Sequence, residues 1–264
     1  MDRKTAEALA DINRVFYRER AEEFDATRTD PWPGWRRVLE CLDLPPPTEP
    51  LRVLDVGCGN GRFASLLDRH LAPRRQTFRY VGIDASLALL ARAQSRELSV
   101  GDAQLVCADW EQTSPERALP AGPFALVVLF GVLHHVPCAA HRRALLVAAA
   151  RRLAAGGLLA FSAWQFAARS RFRRRLVAWE DYNRAAARTV DPAQLEPGDH
   201  LLRWGDAAMA SLRYAPGSVR YCHFADDAEI ARLTTGLDLD RVALYRADGR
   251  EGDLNRYWVL RSAA

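Results

Sequence analysis

Leu51-Arg-Val-Leu-Asp-Val-Gly-Cys-Gly-Asn-Gly-Arg62 is a short apolar run that ends in an acid, Asp55, followed by alternating glycines at Gly57, Gly59 and Gly61. A helical pattern follows at once, with Phe63, Leu66, Leu67 and Leu71 on one face. Glycine takes backbone angles closed to other residues and lets a ligand approach the main chain. Strand, glycine loop and helix in this order predict a nucleotide-type binding corner.

Outward from that corner, strands and helices alternate. Strands are expected at 78–84, 104–109, 124–130 and 158–163, with helices at 86–96 and 141–153. The continuous apolar run at 124–130 fits a strand buried on both faces. This βαβα rhythm predicts an α/β fold with a parallel, doubly wound, Rossmann-like sheet. Upstream, 5–28 reads as an amphipathic helix with Leu9, Ile12, Phe16 and Phe24 on its apolar side. Pro31-Trp-Pro-Gly34 breaks the chain, a short helix carries Val38, Leu39 and Leu42, and Leu44-Pro-Pro-Pro-Thr-Glu-Pro50 is a stiff connector. Downstream, 166–188 reads as an arginine-rich helix and 189–219 as loop. A helix at 226–237 opens on an Asp226 cap, and strands follow at 241–246 and 255–261. The expected organisation is one domain over 1–264: an entry segment (1–50), a binding core (51–164), a ligand-side insertion (165–222), and a C-terminal helix and strand pair (223–264).

Composition bounds the class. The 264 residues are 49% hydrophobic and 27% charged, with a formal net charge of +4, as in an ordinary globular protein. Nearly all the basic residues are arginine, Lys4 being the one lysine, and the small excess is weak support for an anionic partner. The charged start lacks an apolar signal core, and no apolar run reaches the ~18 residues needed to span a bilayer. A cytoplasmic location without membrane contact is expected. Cys41, Cys58, Cys107, Cys138 and Cys222 form no CxxC pair, so buried reduced thiols are expected rather than a zinc site, another metal centre or a disulfide framework.

The lettering narrows the ligand. Hydride-transfer folds place GxGxxG after the first strand and their acid later. Here the acid comes first, giving DxGxGxG. At this point the stretch 50–165 resembles the class I S-adenosylmethionine-dependent methyltransferases, which implies their seven-stranded sheet and S-adenosylmethionine as cofactor. The resemblance implies that Asp55, Gly57, Cys58, Gly59 and Gly61 wrap the methionine part of the cofactor. It implies that Asp84, with Ala85 beside it in Tyr80-Val-Gly-Ile-Asp-Ala-Ser86, accepts from both ribose hydroxyls, which a carboxylate can do. Asp109, ending the third strand in Val106-Cys-Ala-Asp-Trp110, would receive the adenine amino group, with Trp110 over the adenine face. Gly131-Val-Leu-His-His-Val136 would lie beside the sulfonium methyl. Two departures are Ala125, where an acid is common, and Ala155-Gly-Gly157, where proline usually precedes the glycines.

A narrower resemblance extends over the whole chain. Phe24-Asp-Ala-Thr-Arg28, Pro31-Trp-Pro33, Val132-Leu-His-His135 and Phe161-Ser-Ala-Trp-Gln165 are similar to segments of the tRNA wobble-uridine carboxymethyl methyltransferases and their bacterial relatives. So are Pro197-Gly-Asp-His-Leu-Leu-Arg-Trp-Gly205, Arg220-Tyr-Cys-His-Phe224 and Gly252-Asp-Leu-Asn-Arg-Tyr257. This resemblance implies a carboxylate on a tRNA uridine as acceptor, a methyl ester as product and, as in the eukaryotic members, a small zinc-binding activator protein. An ionised carboxylate needs no general base; it needs cationic donors, and arginine's fork fits it. Arg28 is the first candidate, with His135 as a neutral or cationic donor, Trp164 as a wall for a flat base and Asn255 hydrogen-bonding near the pocket. An amine or phenol acceptor would instead need His134 or His135 as a base. Competing readings pair Arg28 with an acid of the N-terminal helix, and place Trp164 in the core. Arg169-Ser-Arg-Phe-Arg-Arg-Arg175 is the strongest basic cluster, either a phosphate grip or a solvated face. Two alternatives stand beside the tRNA reading: a small-molecule O- or N-methyltransferase, and a catalytically silent cofactor-binding scaffold.

Overall fold

The computed structural model describes residues 1–205 and 217–264. The chain runs α1 (Arg3–Ala26), α2 (Pro33–Glu40), β1 (Leu51–Val56), α3 (Arg62–Leu71), β2 (Phe78–Asp84), α4 (Leu87–Gln94), β3 (Gly101–Cys107), α5 (Trp110–Thr113), α6 (Pro115–Ala118), β4 (Phe124–Leu129), α7 (Ala139–Ala150), β5 (Leu153–Trp164), α8 (Ser170–Arg173), β6 (Leu176–Val177), α9 (Trp179–Ala185), β7 (Asp199–Arg203), β8 (Val219–His223), α10 (Asp227–Thr234), β9 (Leu239–Ala247) and β10 (Asn255–Ser262).

Seven strands form the central sheet in the order β3-β2-β1-β4-β5-β10-β9. β1 to β5 pair in parallel, and β10 runs antiparallel to both β5 and β9. This is the expected α/β methyltransferase-type sheet. The chain order reverses between β1 and β4, and in such sheets a ligand crevice opens at that point, beyond the strands' carboxyl ends. Both faces are covered. Trp35, Val38 and Leu39 of α2 and Phe63, Leu66 and Leu67 of α3 pack on one face, while Leu145 and Leu146 of α7 and Ile230 and Leu233 of α10 pack on the other. The helix at 226–237 begins as expected, with Asp226 accepting from the Glu229 N–H at 2.7 Å.

A second, three-stranded antiparallel sheet, β6-β7-β8, lies in the 165–222 insertion. It corrects the reading of 166–188 as one helix. That stretch holds a 3-10 turn (Phe166–Ala168), the single turn α8, the dipeptide strand β6, and α9. The arginine run supplies no apolar stripe for a continuous helix. Leu176 and Val177 instead pair across to Leu202 and Leu201 of β7. Part of 189–219, read as loop, lies outside the described residues, and its described part includes β7.

The small sheet is sandwiched. On one side Val177, Leu201, Val219 and Tyr221 pack against Ala8, Leu9 and Ile12 of α1. On the other, Leu202 and Cys222 pack against Trp164 and Phe166. Fully burying an aliphatic side chain such as Leu9 or Ile12 contributes about 1.5–3 kcal/mol, so this contact fixes α1 over the sheet edge. Leu9, Ile12 and Phe16 are core as expected, whereas Phe24 is only partly buried.

All five cysteines are free. Cys58 and Cys222 are buried, but Cys107 is exposed, so the expectation of buried thiols fails there. Among the described residues no helix is long and apolar enough to cross a membrane.

Candidate active site

A cavity of about 1030 Å³ opens at the carboxyl edge of the main sheet, roofed by α1 and walled by the small sheet. It gathers nearly every residue singled out from the sequence: Asp55, Gly57, Cys58, Gly59, Asp84, Ala85, Asp109, Trp110 and Gly131 at one end, and Arg28, His134, His135, Trp164 and Asn255 at the other. Gly61 does not line it. Its φ of +74° starts α3, and a Cβ there would stand 3.0 Å from Ala93 Cβ, so this glycine serves helix packing.

The glycine corner is held by backbone geometry and by Asp84. Gly57 has φ +77°, and a Cβ there would lie 2.4 Å from Val132 Cγ2. Gly59 has φ +53° with open space where its Cβ would be. Asp84 Oδ2 accepts from the Gly59 N–H at 2.9 Å and Oδ1 from the Ser86 N–H at 2.8 Å. Each oxygen keeps a lone pair for a further donor. Burial pushes the Asp84 carboxyl upward, against these backbone bonds. Asp55 is 3% exposed and accepts from the Tyr80 hydroxyl at 2.6 Å. Burial, opposed by that hydrogen bond and helped by Asp84, pushes the Asp55 carboxyl up to about 7. Asp55 is thus a buried acid that feels the Arg62 charge but forms no ion pair among the described residues, a site suited to an ammonium group. Asp109 lies two residues past β3 rather than ending it. It caps α5 through the Glu111 N–H at 3.0 Å and accepts from Arg14 Nε at 2.8 Å.

The other end carries the opposite charge. Arg220 is 6% exposed and lies over the rings of Trp164 (4.7 Å), Trp204 (5.5 Å) and Phe16 (5.6 Å). Arg28 lies 3.7 Å over Phe24 and donates to Thr27 Oγ1 at 2.7 Å. It is not paired with an acid of α1. Burial and the nearby Arg220 charge lower the Arg28 guanidinium to about 10, so it remains cationic at neutral pH. Among the described residues neither guanidinium has a carboxylate partner.

The two histidines differ from expectation. His135 Nδ1 lies 3.4 Å from the Asn13 amide nitrogen and 3.2 Å from the Tyr221 carbonyl; the shorter contact is to a group that can only accept, which places the proton on Nδ1. Nε2 then accepts from the Tyr17 hydroxyl at 2.8 Å. Burial and the charge of Arg220 lower His135 to about 3, so it is neutral. With both nitrogens committed, His135 is not the donor expected from the sequence; its surroundings, invisible locally, decide this. His134 is 8% exposed, its ring 4.0 Å from that of His135 and 5.2 Å from that of Trp164. Burial and His135 hold it well below the usual imidazole range, and its Nδ1 is buried without a hydrogen-bond partner among the described residues.

Asn255 is committed as well, its amide donating to Asp248 Oδ2 at 2.8 Å. Trp164 is both core and wall: 8% exposed, it lines the cavity. The basic cluster splits. Arg169 pairs with Glu251 and Asp253, while Arg171 and Arg175 reach the cavity. Arg220 and Tyr17 were not singled out from the sequence. The available signal was period-two alternation in Arg220-Tyr-Cys-His-Phe224, which puts Arg220 and Cys222 on one face.

A family model described as a methyltransferase domain matches residues 17–208. A search of curated proteins gives no match. Solved structures share the fold. A SAM-dependent methyltransferase from Methanosarcina mazei aligns with TM-score 0.58 at 16% identity, covering 89% of this chain and 99% of its own. One from Clostridium acetobutylicum aligns with TM-score 0.57 at 13% identity, covering 96% and 99%. Magnesium protoporphyrin IX methyltransferase from Synechocystis, with bound SAH, aligns with TM-score 0.54 at 14% identity, covering 96% and 87%.

Proposed function

The chain belongs to the methyltransferase-domain family, with the class I SAM-dependent fold, and on that premise we propose that it esterifies a carboxylate borne on a flat ring. S-adenosylmethionine, when bound, supplies an electrophilic methyl group, and the protein's task is to position the acceptor. The observation that carries the carboxylate reading is the pair Arg28 and Arg220, two guanidinium groups lining the cavity without an acidic partner among the described residues. Two like charges held together there are balanced when an anion enters. His135 is neutral and fully hydrogen-bonded, which suits an acceptor that is already ionised. Trp164, Trp204 and Phe24 line the cavity beside these guanidinium groups, an aromatic wall that suits a planar acceptor. At the donor end, Asp55 fits the amino group of the cofactor, Asp84 its ribose hydroxyls, and Asp109 with Trp110 its adenine.

The acceptor that the resemblance favours is a carboxymethylated uridine of tRNA, with a small zinc-binding protein as activator. Exposed Arg171 at the cavity mouth supports an approach by phosphate-bearing substrates. Labelled methyl transfer from S-adenosylmethionine to total tRNA and to an RNA-free metabolite pool, with and without such a partner, tests this. The expected product releases labelled methanol in mild alkali, as methyl esters do. An alkali-stable label would exclude the carboxylate; a labile label confined to the metabolite pool would exclude tRNA. No labelled product from either pool would favour a scaffold.

Donor binding should depend on pH through Asp55. Its folded pKa of about 7 lies above the ordinary 3.8, so its contribution to stability is complete below pH 3.8 and is lost as pH rises through 7. A cationic amino group prefers the carboxylate. Calorimetry should therefore show S-adenosylmethionine affinity rising between pH 6 and 8, about tenfold per unit below the pKa at most. In Asp55→Asn that rise should vanish.

A further inference from the structure

On the far face of β8 from Arg220 lies a buried ion-pair network. Side chains alternate along this strand: Arg220 enters the cavity and Cys222 lies beside the histidine pair, while Tyr221 and His223 point the other way. There the Tyr221 hydroxyl donates to Asp199 Oδ1 at 2.6 Å, and His223 Nδ1 lies 2.7 Å from the same oxygen. His223 Nε2 lies 2.7 Å from Glu229 Oε2 on α10. Arg142 of α7, fully buried, donates to Glu229 Oε1 at 2.7 Å, to Glu196, and to the Val136 carbonyl at 2.9 Å. Val136 directly follows the His134–His135 turn. One network therefore grips both pieces of backbone that carry the acceptor end of the site.

We propose that His223, as an imidazolium between Asp199 and Glu229, is a positioning residue that sets Arg220 for the acceptor carboxylate. The inference rests on the reading of Arg220 given above. A ring nitrogen facing a carboxylate on each side is satisfied on both sides only when both nitrogens carry protons. A neutral ring would turn a lone pair toward one carboxylate, which then loses its donor. Asp199 and His223 are cross-strand partners, so the loss falls on the β7–β8 pairing next to Arg220. The titratable and charged groups around His223 are Asp199 and His200 on β7, Glu196 before it, Tyr221 on β8, Glu229 on α10, Arg142 on α7, and His134. Burial works to lower the His223 pKa, and the bonds to Asp199 and Glu229 outweigh it, so the net shift is upward from 6.5. The positioned state is thus complete below pH 6.5 and is lost as pH rises through the folded value.

The test uses the full chain saturated with S-adenosylhomocysteine and 5-carboxymethyluridine as a carboxylate probe, with its affinity measured by calorimetry from pH 6 to 9. The wild-type protein should bind the probe tightly at low pH and lose affinity along an alkaline limb below the Arg28 titration near 10. Asp199→Asn keeps an acceptor for Tyr221 and His223 but removes the charge that favours imidazolium. It should move the limb about one to two pH units lower. His223→Gln keeps a donor toward Glu229 only; it should abolish the limb and weaken the probe about tenfold throughout, with S-adenosylhomocysteine affinity unchanged. An unmoved limb in Asp199→Asn overturns the proposal, as does a parallel loss of probe and S-adenosylhomocysteine binding in His223→Gln. If Arg220→Met leaves probe binding unchanged, the carboxylate reading itself falls. If it weakens binding while the limb stays fixed, only the role of His223 falls.

Discussion

Asp84→Ala should abolish S-adenosylmethionine binding while leaving a folded protein. The carboxylate holds the N–H groups of Gly59 and Ser86, and so shapes the loop before any ligand arrives. The two ribose hydroxyls assigned to Asp84 would each form a hydrogen bond to a charged group worth about 1.5–3 kcal/mol, so losing both costs about 3–6 kcal/mol of binding. At 1.4 kcal/mol per decade that is roughly two to four orders of magnitude in affinity. Asp84→Asn keeps the shape and one acceptor, and should fall between the two. Calorimetry reads the affinity, and thermal unfolding confirms the fold. Affinity within threefold of wild type in Asp84→Ala would remove Asp84 from the cofactor site.

Arg28→Ala and Arg220→Met should each leave donor affinity within about twofold and cut kcat/KM by about a hundredfold, the size of one lost charge-assisted bidentate contact near 3 kcal/mol. Methionine at 220 retains much of the volume between Trp164, Trp204 and Phe16, so the loss reports charge rather than a cavity. Arg28→Lys should recover only part of the rate, because an ammonium lacks the planar fork. Turnover unchanged in both variants, measured with the acceptor found by the labelling assay, would locate the acceptor elsewhere.

The glycine corner was legible because it is local. An acid, three alternating glycines and an apolar helix are contiguous from Asp55 to Leu71, and positive φ at Gly57, Gly59 and Gly61 is a demand that residue type alone reveals. Asp84 was legible for the same reason, as the last residue of a strand whose bounds the sequence marked. Asp109 was less so: its strand stops at Cys107, and Arg14, 95 positions away, shares its carboxylate.

The part of the cavity lined by Arg28, the histidines, Trp164 and Arg220 is assembled from distant chain. Arg28 follows α1, the histidines follow β4, Trp164 ends β5, and Arg220 sits on a strand of a sheet whose shortest member is a dipeptide. Two residues show no periodicity, so the pairing of Leu176 and Val177 with β7 could not be read in advance. The protonation of His135 likewise depends on Tyr17, 118 positions earlier, and Tyr221, 86 positions later. The sequence by itself determined the sheet, the glycine loop and the class of chemistry, because short turns and apolar runs follow from residue type. Only the tertiary structure decided which cations line the cavity, that both His135 nitrogens are hydrogen-bonded, and that a buried network stands behind Arg220. Those properties arise from burial and from charges brought together by packing, and no contiguous stretch of the chain contains them.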